Sequence, residues 1–256
     1  MGAHSVFLDI DGTLIDDNYS GPFEDDIDII EKAWQKGVKF FLCTGRSMVQ
    51  IPIPLAQARW KSGTIAAGGA HVVLDGKTLY HTWVPVSVLC DIASIFLRNK
   101  KKCSFRGDTA VYTVNQNIET LAGSGKIPIT AGKDFALKYA GTKVSMLTVD
   151  HAIGEEERAL LKKYFDIYPQ IPHLDCFMKG EGKAKGMQLI LDTLGLERGN
   201  SIAIGDSAND MDIMQYAGTG IAVGNACEEL KEKASWVSAP VGEGAVAKAL
   251  EYLGLC

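Results

Sequence analysis

Short apolar runs, each closed by glycine or by polar residues, constrain the fold of this chain more than any other feature of its sequence. Continuous apolar runs of this length are typical of strands that are buried on both faces of a parallel sheet. Helical patterns lie between the runs, and strands that alternate with helices predict βαβ units. We therefore predict an α/β fold with a Rossmann-like parallel-sheet core. The runs are 6–8, 38–43, 64–67, 201–204 and 219–223, and the helical patterns are clearest at 24–36 and 186–194.

The middle of the chain follows a different pattern. From about Trp83 to Gly182 the segments alternate as in an antiparallel sheet with helices on one side. Strand-forming residues dominate 110–114 and 144–149 within this stretch. We therefore predict that an α+β domain is inserted into the α/β core. The predicted core domain comprises 1–82 and 183–256, and the predicted inserted domain comprises 83–182.

Composition and charge argue against several classes of partner. The chain has 256 residues and a formal net charge of −5 without a dense basic run, so we expect no nucleic-acid partner. The first residues lack the basic and apolar regions of a signal peptide, and no apolar run is long enough to cross a bilayer. The six cysteines form no C-x-x-C pair, which is typical of reduced thiols. We expect a cytoplasmic protein without a membrane partner. The oligomeric state stays open, with a monomer favoured.

Asp9-Ile10-Asp11-Gly12-Thr13 is the most informative local motif. Two carboxylates that are two residues apart at the end of a buried strand can face one site, and Gly12 lets the backbone turn towards a ligand. Like charges at such a short distance need a shared proton or a cation, and a hard divalent cation prefers oxygen ligands. Taken alone, an ordinary Asp-Gly turn with solvated carboxylates explains the motif equally well.

Further polar clusters occur where other predicted strands end or helices begin. Thr44-Gly45-Arg46 combines a hydroxyl, a flexible backbone and a guanidinium, which suit a phosphoryl oxygen. Lys183 to Gly186 opens a predicted helix, where a lysine can meet a phosphate at the positive helix end. In isolation, a helix N-cap with a surface arginine and a pair of solvated lysines are the better explanations of these two segments.

Gly205-Asp206-Ser207-Ala208-Asn209-Asp210 closes the fourth predicted strand with acid and amide side chains. Such groups provide metal ligands and the residues that orient them. An N-cap box is the weaker interpretation, because Asp206 directly follows an apolar strand. Ligands of open α/β sheets bind beyond the carboxyl ends of the strands, and the acidic clusters lie at such ends. We therefore predict that they converge on one site.

These clusters, in this order, resemble those of the haloacid dehalogenase superfamily of phosphohydrolases, and in particular its Cof-type branch. The resemblance covers nearly the whole chain and extends to 220–226 and 242–246. The inserted segment lies where this branch carries its α+β cap, of the C2 type. One departure is Gly68-Gly69, where the branch usually has Asn-Gly, and it puts the substrate preference in doubt.

The resemblance implies a Mg²⁺-dependent phosphatase with an aspartyl-phosphate intermediate. Asp9 would be the nucleophile and Asp11 the general acid and base. Mg²⁺ would be held by Asp9, the backbone carbonyl of Asp11 and Asp206, with Asp210 orienting its water ligands. Lys185 is preferred to Lys183 because it directly precedes the glycine of the family pattern. The implied phosphate- and substrate-binding residues are Gly12, Thr44, Gly45, Arg46, Lys185 and Asn209.

The substrate would be a small-molecule phosphate ester selected by the cap, with sugar phosphates as the expectation for the family. Candidate specificity residues are Phe105, Arg106, Asp108 and Tyr112, although packing is the better explanation of the two aromatic residues. Two alternatives stay open. A phosphosugar mutase would return the phosphoryl group to its substrate, and a regulator on the same fold would bind a phospholigand without catalysis.

Overall fold

The computed structural model describes residues 4–16, 18, 21–116, 126–131, 141–169 and 173–256. The chain divides into two compact units. The core unit comprises Met1–Gly45, Ile51–Tyr80 and Gly182–Cys256, and the inserted unit comprises Arg46–Gln50 and His81–Glu181. The two main junctions thus lie one or two residues before the positions predicted from the sequence. The short segment Arg46–Gln50, which we predicted in the core domain, groups with the inserted unit.

An eight-stranded sheet forms the centre of the core unit, in the order β14-β13-β12-β1-β2-β3-β4-β5. The strands from β14 to β3 are parallel, and β4 is antiparallel to β3. The strands are β1 Ser5–Leu8, β2 Lys39–Cys43, β3 Lys61–Ala66, β4 His71–Leu74, β5 Lys77–His81, β12 Ser201–Gly205, β13 Thr219–Ala222 and β14 Trp236–Val237. Each of the five apolar runs thus contributes a strand, and the predicted α/β fold class is confirmed.

Helices border this sheet in the sequence positions that the apolar patterns predict. Gly37, with φ of +95°, follows the first helix, and Gly195, with φ of +62°, ends the third helix of the core unit. That helix begins at Lys183 rather than at 186, which matters for the site described below. The helices of the core unit are α1 Glu24–Gln35, α2 Ile53–Ala56, α5 Lys183–Leu194, α6 Met211–Tyr216, α7 Glu228–Lys233 and α8 Ala245–Tyr252.

The inserted unit contains a six-stranded sheet in the order β10-β11-β9-β6-β7-β8. Its described pairs are antiparallel, as predicted, except that β7 and β8 run parallel. Buried apolar side chains of α3 and α4 join those of the sheet in one core. The elements are α3 Val86–Arg98, β6 Cys103–Gly107, β7 Val111–Val114, β8 Lys126–Ile129, β9 Val144–Asp150, α4 Glu155–Tyr164, β10 Phe165–Pro169 and β11 His173–Met178. Across the residues that the structure describes, no helix has both the length and the apolar character needed to span a membrane.

Candidate active site

Asp9 lies directly after β1, between the neighbouring strands β12 and β2. Its backbone N–H donates to the carbonyl of Ile204 at 3.0 Å, which continues the pairing with β12 beyond the strand end. The side chain is buried, with 5% of the residue exposed. The carboxylate is therefore held at the carboxyl edge of a parallel sheet, where open α/β folds bind their ligands.

Lys183, the first residue of α5, joins two of the predicted site carboxylates. Its Nζ donates to Oδ1 of Asp9 at 2.7 Å and to Oδ1 of Asp210 at 2.5 Å. The lysine is almost completely buried, with 1% exposed. Burial alone would lower the pKa of Lys183, but the carboxylates of Asp210 and Asp9 raise it well above its ordinary value. The ammonium therefore stays charged and offsets part of the negative charge around it.

One ammonium does not balance the carboxylates that surround it. Burial, with further contributions from Asp210 and Asp11, raises the pKa of Asp9 to about 8, although Lys183 acts in the opposite direction. Burial and the nearby Asp9 likewise raise the pKa of Asp206 well above its ordinary value. Carboxylates that resist ionisation in this way indicate a site that needs a further cation or a shared proton.

The turn after β12 presents oxygen atoms that have no donor. Oδ2 of Asp210 accepts the backbone N–H groups of Asp206 and Ser207, at 3.2 and 3.1 Å, which fixes this turn. Among the described residues, by contrast, Oδ1 of Asp206 and Oδ1 of Asn209 are buried without a hydrogen-bond partner. Buried acceptors without donors are destabilising, so these atoms point to a ligand.

The same carboxylates have the spacing of a metal site. One oxygen from each of Asp9, Asp206 and Asp210 lies within 4.8 Å of the others. This donor set of carboxylate oxygens, together with the donor-less oxygen of Asp206, fits a hard divalent cation. Asp11 is exposed and lies outside this three-carboxylate cluster.

Gly12 is required where the loop after β1 passes the acidic cluster. Its φ is +79°, and a Cβ at this position would lie 2.3 Å from Oδ2 of Asp206. The carbonyl of Gly12 accepts a hydrogen bond from Nδ2 of Asn225 at 2.8 Å, and Oδ1 of Asn225 accepts the N–H of Val241 at 2.7 Å. Asn225 belongs to the family-like segment after β13, but the sequence alone indicated no role for it.

The predicted residues after β2 are divided between the two units. Thr44 is buried at the end of β2, where its N–H donates to Ile65 at 2.8 Å and its carbonyl accepts the N–H of Gly68 at 3.1 Å. Gly45 follows it in the core unit, whereas Arg46 groups with the inserted unit and donates to the carbonyl of Gln50 at 2.8 Å. Thr44 therefore stays at the carboxyl edge of the sheet.

The choice of Lys185 over Lys183 does not agree with the geometry. Lys185 is exposed, and its Nζ donates to the hydroxyl of Tyr80 at 3.1 Å and lies 4.6 Å from the centre of that ring. Because α5 already begins at Lys183, the two lysines differ by about 200° around the helix axis and point to different faces. Lys183 shares the buried face with Met187, Ile190 and Leu191, and this helical spacing was the available signal.

The candidate residues of the inserted unit have mixed surroundings. Phe105 and Tyr112 belong to its buried core, and the Tyr112 hydroxyl lies 3.2 Å from Oγ1 of Thr142. Asp108 accepts the N–H of Lys143 at 2.9 Å. The guanidinium of Arg106 donates to Thr148 and to Gln50, at 3.2 and 3.1 Å respectively.

Comparison with known proteins places this site in a family. The sequence profile of haloacid dehalogenase-like hydrolases matches residues 6–250. The chain is a haloacid dehalogenase-like hydrolase. The resemblance inferred from the motifs is therefore confirmed, and the hydrolase acts on phosphoric monoesters.

Individual relatives of this hydrolase match over their full length. YkrA of Bacillus subtilis (strain 168) is 28% identical over 263 residues, which cover 100% of this chain and 99% of YkrA. The 5-amino-6-(5-phospho-D-ribitylamino)uracil phosphatase YitU of the same organism is 26% identical over 267 residues, covering 98% and 97% of the two chains. The solved structure of BT4131, a HAD subclass IIB sugar phosphatase, superposes with a TM-score of 0.85 at 25% identity, covering 99% of this chain and 100% of BT4131.

Proposed function

We propose that this hydrolase transfers the phosphoryl group of a small phosphate monoester to Asp9 and then hydrolyses the aspartyl-phosphate. The observation that carries the proposal is the buried ammonium of Lys183, which binds the carboxylates of both Asp9 and Asp210. In the first step an Asp9 oxygen bonds to phosphorus while the bond from phosphorus to the ester oxygen breaks. In the second step water attacks phosphorus, which releases inorganic phosphate and restores the carboxylate.

Asp9, Asp206 and the backbone carbonyl of Asp11 would hold Mg²⁺, and Asp210 would orient its water ligands. The acidic cluster and the donor-less oxygen of Asp206 support this assignment. When bound, the cation reduces the repulsion between a carboxylate nucleophile and the anionic phosphate. Its few protein ligands agree with the tendency of Mg²⁺ to retain water.

Lys183 would bind the phosphoryl oxygens together with Thr44 and Asn209, in place of the role first expected for Lys185. Its ammonium is already next to the nucleophile, so it needs little rearrangement to stabilise the charge that develops on those oxygens. The buried amide oxygen of Asn209 is an acceptor and cannot bind an anion. The Nδ2 group of the same amide is a donor, and it would make the contact with the phosphoryl oxygen.

Asp11 would carry the protons. It is exposed on the loop after Asp9, so a leaving group and a water molecule can reach it. In the protonated form Asp11 would donate its proton to the departing ester oxygen. The resulting carboxylate would then accept a proton from the water that attacks the aspartyl-phosphate.

Sugar phosphates, or similar metabolites with a hydroxylated leaving group, are the proposed substrates. The solved relative BT4131 is a sugar phosphatase, and the name of YitU describes a substrate with a phosphorylated ribityl chain. Both leaving groups are rich in hydroxyl groups, which supports one chemical class without selecting a single compound.

The test is a phosphate-release assay over a panel of sugar, polyol and nucleoside phosphates, with Mg²⁺ and with EDTA. We expect Mg²⁺-dependent release of free phosphate from the hydroxylated esters, and none from the Asp9→Asn variant. Retained activity in that variant would exclude Asp9 as the nucleophile. Product analysis separates the mutase, since a mutase converts the substrate to an isomeric phosphate and releases little inorganic phosphate.

A further inference from the structure

The start of α5, which carries Lys183, packs closely against the turn after β3 and against the side chain of Asp212. A Cβ on Gly69 would lie 2.1 Å from the carbonyl oxygen of Gly182. A Cβ on Gly182 itself would lie 2.4 Å from Oδ2 of Asp212. Gly182 therefore lies between the turn after β3 and the side chain of Asp212, directly before the helix begins.

Asp212 also binds the helix directly. Its Oδ2 accepts the backbone N–H of Ala184 at 3.0 Å, and its Oδ1 accepts the N–H of Ile213 at 2.7 Å. The N–H groups of a first helical turn have no partner within their own helix, and a carboxylate is favourable at that end. Asp212 lies in α6, which begins directly after Asp210. One carboxylate thus links the helix of Lys183 to the segment that follows Asp210.

The position of the Lys183 ammonium depends on this link. Lys183 is the first residue of α5, and the inserted unit rejoins the core unit at Gly182, one residue earlier. Its Nζ binds two carboxylates at 2.7 and 2.5 Å. A shift of the helix start would move the ammonium away from at least one of them. Displacements of about 1 Å in a reacting group can lower rates about 100-fold.

We propose that Asp212 is a positioning residue that holds the Lys183 ammonium between Asp9 and Asp210. Asp212 acts through the first turn of α5, by its bond to Ala184 and its contact with Gly182, and it needs no contact with the substrate. The proposal rests on the function proposed above for Lys183. It assigns a catalytic consequence to a side chain that is exposed and that family motifs do not mark.

The first experiment compares Asp212→Ala with Asp212→Asn in the full-length protein, using p-nitrophenyl phosphate and Mg²⁺. The alanine variant loses the acceptor for the Ala184 N–H, so we expect kcat to fall about 10- to 100-fold. The asparagine variant retains an acceptor oxygen and should restore most of kcat. Loss of this acceptor should also lower the unfolding temperature of the alanine variant, so kcat is measured per folded molecule well below both unfolding transitions. Equal kcat values for the alanine variant and the wild type would overturn the proposal.

A double-variant cycle tests whether Asp212 acts through Lys183. In a Lys183→Ala background there is no ammonium to position, so adding Asp212→Ala should leave kcat unchanged. An equal fold-loss in both backgrounds would show a role independent of Lys183 and would overturn the proposal. Two further outcomes separate the two proposals. If the Lys183→Ala variant has the wild-type kcat, the proposed role of Lys183 is excluded. If the Lys183→Ala variant is slow while the Asp212→Ala variant is fully active, only the positioning role of Asp212 is excluded.

Asp26 offers the matched control. Its Oδ1 accepts the N–H of Ala247 in the first turn of α8 at 2.8 Å, so it also binds a helix start through one carboxylate. Asp26 is buried, and Asp26→Ala should lower the unfolding temperature while kcat per folded molecule stays unchanged. A drop in kcat of the same size as in Asp212→Ala would mean that any weakened helix start impairs catalysis, and it would contradict a specific link to Lys183.

Discussion

Two buried carboxylates, one in each unit, show how differently a protein can treat the same group. Glu157 of the inserted unit is 2% exposed, and its oxygens accept N–H groups from Asn99 and Gly154, at 2.8 and 2.9 Å. Burial acts to raise its pKa, but these hydrogen bonds bring the pKa below its ordinary value. Asp9 of the core unit is similarly buried, and its pKa is raised to about 8.

The difference lies in what each carboxylate has around it. Glu157 is surrounded by donors that satisfy it, whereas Asp9 shares one ammonium with Asp210 and lies near further carboxylates. A satisfied buried acid stabilises a fold. An acid that the fold leaves partly uncompensated is available for chemistry, and such groups cluster at functional sites.

The largest expected effect is on activity, and it tests the comparison between Asp9 and Glu157. Asp9→Asn should lower phosphatase activity by about 10⁴-fold or more, because it removes the proposed nucleophile. In EDTA above pH 8, where Asp9 is ionised, the unfolding temperature of this variant should equal or exceed that of the wild type, since a destabilising charge is lost. Glu157→Gln should retain wild-type activity and lose about 1–3 kcal/mol of stability, because one amide N–H would face a donor. Steady-state kinetics and thermal unfolding of both variants test this prediction. Activity retained in Asp9→Asn but lost in Glu157→Gln would contradict the catalytic role proposed for Asp9.

Lys183 and Lys185 provide the next test. Lys183→Ala should lower kcat about 10²–10³-fold, because it removes a donor held next to Asp9, the proposed nucleophile. It should also destabilise the protein, since it leaves buried carboxylates without their cation. Lys185→Ala removes an exposed contact with Tyr80 and should change kcat only a few-fold. A larger loss of kcat in Lys185→Ala than in Lys183→Ala would restore the interpretation made from the family pattern.

Alanine variants of two glycines with positive φ, Gly12 and Gly76, distinguish the effect of backbone strain from the effect of a changed site geometry. Gly12→Ala places a Cβ against Asp206, so Mg²⁺-dependent activity should fall about 10- to 100-fold. Gly76 has a φ of +74°, and a Cβ there meets none of the described residues within 4 Å. Gly76→Ala should therefore cost about 1 kcal/mol of stability through backbone strain alone, with activity retained. Mg²⁺ titrations of activity measure the effect, and equal losses of activity in the two variants would contradict it.

The last test concerns stability as a function of pH, where no residue is replaced and no change in the chemical step is expected. The pKa of Asp9 rises on folding from 3.8 to about 8, so the folded state holds this proton more tightly and stability falls as pH rises through that window. Glu157 acts in the opposite sense, because its lowered pKa contributes stability that is lost as pH falls. At pH 8, Mg²⁺ at 100 times its dissociation constant should restore about 2.7 kcal/mol. Thermal unfolding in EDTA and in Mg²⁺ measures both, and a Mg²⁺ effect that is equal at pH 5 and pH 8 would contradict the assignment to Asp9.

Much of the fold was predictable because buried parallel strands leave a clear signal. The apolar runs at 6–8 and 201–204 became neighbouring strands, and the acidic residues that follow them came together at one edge. Local sequence carries this information, since a strand buried on both faces must be apolar and a sheet edge is polar where it binds ligands. The parallel pairing of β7 and β8 was not predicted, because strand direction depends on contacts between distant segments.

The residues missed in the site depend on three-dimensional packing. Lys183 was passed over because family pattern was weighed above helical spacing, although its buried face was readable from the sequence. Asn225 lies far from Gly12 in sequence, and only the folded chain brings its amide to that carbonyl. Gly69 matches the glycine of the family's Asn-Gly pattern, and the departure concerned Gly68, but the close approach of Gly182 that requires Gly69 has no local signature.

The close packing around Gly182 has a consequence for chimeric enzymes. A foreign insertion grafted into this scaffold would rejoin the core unit at Gly182. The junction must therefore fit the close contacts of Gly182 with the turn after β3 and with Asp212, and it must place the next residue at the start of α5. Exchange of insertions between relatives should therefore succeed best when the recombination point leaves 182–184 to the recipient.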